Sequence, residues 1–407
     1  MTGHRPHVIV AGAGPVGLTV ALTLARAGVA VTVLERQTEL ASVSRAATFH
    51  PATLDLLADF GVTEPLAAAA TLVDRLQWRT RHSERPLAEL RMTLLDGLTG
   101  HPFRLHAEQS TLTRLLADEL ARYPHAEVRP GTAVDGVTHT ASQVRAHTRR
   151  GWQEADYVIG ADGARSSVRA AVNLEFPITP YPTLALRIFT DSPLSEHLPG
   201  LAPLTYVRDP NLSCSLLQLP DHWRMVIRLP SRLAAGLTDD MVKVLARQAL
   251  PNAREPHIVH WHTYPLVRAV ASQFRRGRVL LAGDAAHLTS TAGGLNMNAG
   301  IHDAVELGRA LTQVLTGAAG PVALDAWAAR RRTIMLNMII PRSEARVAGL
   351  EGNGEHGAEA TDSTNSLASL VDQMRTLSAD PEAARAWLVQ ASMLDTIPLP
   401  DMHPIGT

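Results

Sequence analysis

The sequence predicts an α/β protein: a Rossmann-like, three-layer dinucleotide-binding domain, interrupted by an inserted, mostly antiparallel β-sheet domain and followed by a C-terminal helical region. Three observations predict it. The stretch from His7 to Glu35 reads as strand, glycine turn, helix and second strand, with glycines at Gly12, Gly14 and Gly17. From Phe176 to Pro230 the apolar period becomes two, between prolines, as in a half-buried sheet. At Arg278 a short apolar strand returns and leads through GDAAH into another helical stretch.

In the first unit, Gly12 suits the tight turn, Gly14 the close approach of backbone to a pyrophosphate, and Gly17 the packing of helix on strand. The free N–H groups and positive end of that helix would hold an anionic bridge. Glu35, closing the second strand, has the spacing and chemistry to accept hydrogen bonds from a ribose. Pro51 to Phe60 is a helix ended by Gly61, after a loop from Ser42 to His50. Leu72 to Leu95 is expected to form short strands or a hairpin. Leu112, Leu115, Leu116 and Leu120 mark one side of an amphipathic helix from Glu108 to Leu120. Val128 to Val137 and Val144 to His147 are expected to form a small meander, and Tyr157 to Gly160 a buried strand.

The inserted sheet is expected to use Leu184 to Phe189, Leu204 to Val207, Cys214 to Leu217, Trp223 to Leu229 and His257 to Tyr264, with a polar helix at Asp239 to Ala249. Helices follow from about Gly300 to Leu315 and from Ala323 to Ile340. A Gly-, Glu- and Thr-rich surface segment, Glu351 to Thr364, then precedes short helices near Leu367 to Leu377 and Pro381 to Leu394. The division is discontinuous: 1–71, 98–175 and 268–345 for the nucleotide domain, 72–97 and 176–267 for the sheet domain, 346–407 for the C-terminal region. The cleft between domains is the default active site.

Composition excludes several classes. Net charge is -1 and aromatics are 4% of the 407 residues, which argues against nucleic acid as a partner. The lone Cys214 permits neither an intrachain disulfide nor a cysteine-cluster metal site, and no metal site is expected. The first residues lead straight into a strand and no run is long enough to span a bilayer, so a cytoplasmic protein without integral membrane association is expected. A monomer or homodimer is expected.

Three separated motifs in order then resemble a known family: GAGPVG from Gly12 to Gly17, ADGARSSVR from Ala161 to Arg169, and GDAAH from Gly283 to His287 followed by GGLNMNAGIHDAVELG. The chain resembles the single-component FAD-dependent aromatic monooxygenases, the para-hydroxybenzoate hydroxylase-like group, over roughly residues 7 to 340. The resemblance implies FAD as cofactor, NADPH or NADH as co-substrate and O2 as oxidant. It places Gly12, Gly14, Pro15, Gly17 and Glu35 at the dinucleotide, with Arg36 at the adenine or facing solvent. Arg45 would reach the FAD phosphates and Gln109 the ribityl chain. Asp162 would serve FAD through the DG motif, and Asp284 the ribityl or pyrophosphate region. Gly294 would let the backbone approach closely, and the N–H groups of Leu295, Asn296, Met297 and Asn298 would face the flavin pyrimidine ring. Asp303 reads as structural. Ser290 and Thr291 stand where relatives often have proline, whose loss would leave the loop more mobile, and Asn296 stands where many have glycine.

In the middle sheet, Tyr206 resembles a tyrosine that hydrogen-bonds a substrate phenol, and Arg224 a flavin-contacting arginine. Gln218 stands where an arginine would grip a benzoate carboxylate, a difference that argues against para-hydroxybenzoate itself. His50, His106 and His262 are other candidates for a hydrogen-bonding group at the substrate. The implied reaction is hydroxylation of a small phenolic or heteroaromatic substrate through a flavin C4a-hydroperoxide. The alternative is a related FAD enzyme that performs a non-hydroxylating oxidation, epoxidation, halogenation or reduction; no WxWxIP segment supports a halogenase.

Overall fold

A computed structural model describes residues 5–40, 46–82, 85–209, 212–251, 254–348 and 372–397. Its first sheet has six strands. Val279–Leu281, Tyr157–Gly160, His7–Ala11, Ala30–Leu34 and Ala126–Arg129 run parallel in that order, and Arg275–Arg276 adds an antiparallel edge. Apart from the half-buried Val128 of the outer strand, their valines, isoleucines and leucines are buried on both faces, as a covered parallel sheet requires. A three-stranded meander, Gly136–His139, Val144–Thr148 and Gly151–Ala155, contacts the sheet; the helices Pro15–Arg26, Gln109–Leu120 and Leu295–Leu315 pack together as a helical layer. Ala126–Arg129 therefore joins the parallel sheet rather than the meander expected for it. A strand at that edge pairs with Ala30–Leu34, a contact nearly a hundred residues away that local pattern does not encode.

The helix Gln109–Leu120 buries Leu112, Leu116 and Leu120, worth roughly 1.5–3 kcal/mol each in transfer free energy, while Leu115 is only half-buried. The helix Leu295–Leu315 begins a turn and a half before the expected Gly300, because Gly294, with φ of 65°, turns the chain directly into it. Val322–Ile334 continues through one π-helical stretch, Met335–Ile339, into Ile340–Ala348. A helix covers 372–379 and another Pro381–Ala391.

The second sheet has eight strands, ordered His287–Leu288, Ile258–Val270, Ile178–Thr190, Trp223–Pro230, Cys214–Gln218, Leu204–Arg208, Arg75–Thr80 and Ala88–Arg91. All neighbours are antiparallel except Leu204–Arg208 with Arg75–Thr80. One face carries a separate apolar core built on Trp223, Met225, Ile227, Cys214 and Leu216 and capped by the helix Asp239–Ala249. Three of the expected domain boundaries cut single elements: 71/72 falls in the strand Thr71–Val73, 267/268 in Ile258–Val270 and 345/346 in Ile340–Ala348. Strands and helices run through the places where composition shifts. The expected surface segment from Glu351 to Thr364 and the tail lie outside the described residues, as does Arg45.

Candidate active site

Parallel strands bring their carboxyl ends to one edge of the sheet, so the segments after Ala11, Gly160 and Leu281 meet there. Backbone hydrogen bonds extend the pairing: the Ala161 N–H donates to Ala11 O at 2.9 Å and the Ala282 N–H to Gly160 O at 3.0 Å. Gly12 has φ of 102°, and a Cβ there would overlap the Ala161 carbonyl. A Cβ on Gly17 would strike the Gly12 carbonyl, so both positions accept only glycine for packing reasons. Gly14 differs. It is the N-cap of the helix that Pro15 opens, no side chain caps that end, and a Cβ would meet nothing within 4 Å. Open space before an uncapped helix N-terminus is what a diphosphate requires.

Glu35 lies against the same turn, where its carboxylate accepts from the Ala13 N–H at 2.8 Å and the Gln37 N–H at 2.9 Å. Arg36 is exposed. One Asp162 oxygen caps the helix Ser167–Ala171, accepting from the Ser167 N–H at 2.8 Å and the Val168 N–H at 3.2 Å. Its other oxygen, Oδ1, is buried without a partner, which leaves an acceptor for a cofactor hydroxyl. Asp284 accepts from Asn296 Nδ2 at 2.7 Å. Gln109 accepts the Ala46 N–H at 3.3 Å, beside the start of the cavity wall. These observations fit FAD laid from the Gly14 turn toward Asp284.

The loop after Asp284 stands on a buried charge network. Asp303 accepts from Arg331 Nε at 2.7 Å, from the Gly283 N–H at 3.1 Å, and lies 2.6 Å from His287 Nε2; Asp303, His287 and Arg331 are fully buried. Burial opposes ionisation of Asp303, but His287 and Arg331 outweigh it and hold its carboxyl well below the usual range. The other His287 nitrogen faces Asn296 Oδ1 at 3.2 Å, so Asn296 bridges Asp284 and His287. Ser290, expected to loosen the loop, is instead fully buried with its hydroxyl 2.6 Å from that of Ser343.

Next to this loop is a cavity of about 360 Å³. Gly294, Leu295, Asn296 and Met297 form one wall, and the eight-stranded sheet presents Tyr206 and Arg224 on another. Asn298 lies behind the wall: its amide donates to Thr48 O and Gly294 O and its oxygen accepts the His50 N–H at 3.0 Å, so its side chain holds the loop rather than facing a ligand. Arg224 is 2% exposed and paired with Glu108. Gln218 is misplaced by the sequence reading. It pairs with Trp223, on the face with Cys214 and Leu216, whereas Ser215 and Leu217 face the cavity. The gapped match put it on the wrong parity, and a one-residue error in a strand exchanges faces. The sequence reading also missed Arg104, Arg208 and Arg346 in the cavity wall, and Trp387 from the C-terminal helix. Strand alternation with Tyr206 was a signal for Arg208; the others arrive through tertiary packing alone.

His50 and His106 are fully buried, and burial foremost holds both imidazoles neutral, His106 down to about 3. Neither lines the cavity, and nor does His262. Among the described residues no cluster of ligands could hold a metal ion, and no helix is long and apolar enough to cross a membrane.

A glycine turn open at an uncapped helix end, a loop held by Asp303 and a cavity between that loop and an antiparallel sheet together fit a flavin-dependent oxidoreductase of the aromatic-hydroxylase class. Residues 5–339 match the family model described as FAD binding domain, and the chain belongs to that family. It is 30% identical to 6-hydroxy-3-succinoylpyridine 3-monooxygenase of Pseudomonas putida (strain DSM 28022 / S16), over 94% of this chain and 99% of the relative. Para-nitrophenol 4-monooxygenase of Pseudomonas sp. (strain WBC-3) is also 30% identical, over 83% of this chain and 85% of its own length. The crystal structure of p-nitrophenol 4-monooxygenase from Pseudomonas putida DLL-E4 superposes with a TM-score of 0.85 at 26% identity, covering 96% of this chain and 99% of that one. The protein is an FAD-dependent monooxygenase.

Proposed function

We propose that the protein hydroxylates a small phenolic or heteroaromatic substrate held in the cavity between the Gly294–Met297 loop and the sheet carrying Tyr206. The observation that carries this reading is that one cavity has the Gly294–Met297 backbone on one side and the eight-stranded sheet on the other. Two relatives, named for 6-hydroxy-3-succinoylpyridine and para-nitrophenol, act on rings of this size. In this reading the parallel sheet holds the cofactor and the eight-stranded sheet the substrate.

Bound FAD, reduced by NADH or NADPH, would supply the activated oxygen. The chain's own part is to orient and to exclude water. Backbone N–H groups at the start of the helix Leu295–Leu315 would face a reduced ring bound there, and the positive helix end would favour the negative charge that it carries. Leu204, Leu217 and Val226 give the ring an apolar floor, and Tyr206 and Arg224 give it polar edges. Asp284 and Asp162 would hold the ribityl and ribose hydroxyls, and Glu35 the adenosine ribose.

Oxygen-18 labelling tests the reading. The FAD-loaded protein, given NADH or NADPH and a panel of phenols and hydroxypyridines under ¹⁸O₂, is expected to form a hydroxylated product carrying the label in step with nicotinamide oxidation. A product that contains no oxygen from O2 would exclude hydroxylation.

A further inference from the structure

Two routes of hydrogen bonds run from Asp303 to Asp284. In the first, Asp303 Oδ2 accepts the Gly283 N–H at 3.1 Å and so fixes the backbone just before Asp284. The second is made of side chains alone. The same Asp303 oxygen lies 2.6 Å from His287 Nε2, His287 Nδ1 lies 3.2 Å from Asn296 Oδ1, and Asn296 Nδ2 donates to Asp284 Oδ1 at 2.7 Å. The ring closes on Asp284. Its members come from three places in the fold: Asp284 from the turn after the parallel strand Val279–Leu281, His287 from the edge strand of the eight-stranded sheet, and Asn296 and Asp303 from the helix Leu295–Leu315.

Donors and acceptors leave one arrangement for the amide. The Asp303 carboxylate accepts at His287 Nε2, and its other oxygen accepts from Arg331 Nε at 2.7 Å. The Asp284 carboxylate also accepts, which turns the Asn296 NH2 toward it and the Asn296 oxygen toward His287 Nδ1, which donates. Asn296 is therefore the side chain that takes a hydrogen bond from the buried network and gives one to Asp284. His287 and Asp303 are fully buried, whereas Asp284 is half-buried, at the open end of the ring. A carboxylate in that position turns about its own bonds unless a neighbour holds it, and ordering it when a ligand arrives weakens binding. We propose that Asn296 is a positioning residue for the cofactor: its amide fixes the Asp284 carboxylate in the orientation that receives a hydroxyl of the FAD chain, and carries to it the rigidity of the Asp303 network. The proposal takes FAD as the cofactor and does not depend on which substrate is hydroxylated.

FAD affinity of the cofactor-free protein, titrated by flavin fluorescence, tests it, with a melt of the same protein as control. Asn296→Ala loses both bonds and should weaken FAD at least tenfold. Asn296→Asp separates positioning from support of the loop. Its carboxylate still accepts from His287 but cannot donate to Asp284, so the melting temperature without FAD should stay within about 2 °C of the parent while FAD again weakens at least tenfold. An effect that acts through Asp284 must vanish without it. In an Asp284→Ala background, where the charge added by Asn296→Asp is also offset, either substitution should change FAD affinity less than twofold. FAD bound by either single variant within twofold of the parent overturns the proposal, as does the same loss with and without Asp284. A melting temperature that falls with FAD affinity in Asn296→Asp would assign Asn296 to support of the loop instead. Where Asp284→Ala itself holds too little FAD to titrate, the single variants decide. Turnover is not needed for this readout, so a failure to hydroxylate would count against the hydroxylase reading alone.

Discussion

Asp303→Asn removes one negative charge and almost no volume from the network beneath the loop after Asp284. Three donors converge on that carboxylate, from Arg331, His287 and the Gly283 backbone, and nothing there reaches solvent. An asparagine offers one oxygen and turns its NH2 toward a donor. Arg331 keeps Glu306 at 3.0 Å and the carbonyls of Ala299 and Thr396, each at 3.2 Å, so its charge is only partly answered. Leaving a buried charge without its partner costs about 3–5 kcal/mol, and the retained Glu306 favours the lower end. With about 2.1 cal/mol/K of unfolding entropy per residue, that cost lowers the melting temperature by roughly 4–6 °C. Circular dichroism melts of parent and variant, with flavin fluorescence read in parallel, measure it. Because Gly283 opens the loop, FAD should also leave the variant at a lower temperature than it leaves the parent. A melting temperature within 1 °C of the parent would refute the assignment of Asp303 as the keystone, as would an Asp303→Leu/Arg331→Met double variant melting below both single variants.

Gly14→Ala and Gly17→Ala should separate cofactor binding from folding. The first fills open space and is expected to weaken FAD at least tenfold with the melting temperature of the cofactor-free protein unchanged, whereas the second drives a Cβ into the Gly12 carbonyl and should yield little folded protein. Gly308→Ala places a Cβ 2.6 Å from Thr23 Cβ where two helices cross, and should cost about 1–3 kcal/mol in urea unfolding. Stability should fall as pH drops below about 6.5: burial keeps His106 and His302 neutral in the folded chain down to about 3, while the unfolded chain takes up those protons near the ordinary histidine value. Each site contributes up to about 1.4 kcal/mol per pH unit in that window, so a melt at pH 5 that matches one at pH 7.5 would contradict it.

Strand, turn and helix from His7 to Glu35 were legible in the sequence because each is a local matter of period and steric freedom, and the glycines at Gly12 and Gly17 occupy contacts that admit no side chain. Apolar alternation also showed the central strands of the second sheet almost to the residue. Facing was the weak point. Tyr206 and Arg224 turn to the cavity and Gln218 to the opposite core, because a strand has a period of two and an alignment error of one residue reverses every side chain. Asp303 read as structural, but its partners were invisible, since Arg331 comes from a helix 28 positions away.

By itself, then, the sequence determined the two kinds of sheet, the dinucleotide turn and the three motifs that place the chain in its family. Only the tertiary structure decided what lines the cavity. Arg104, Arg208 and Arg346 lie on three elements far apart in the chain, and Trp387 on a fourth. Their convergence follows from how the sheet, the loop after Asp284 and the last helices pack, which local periodicity does not encode.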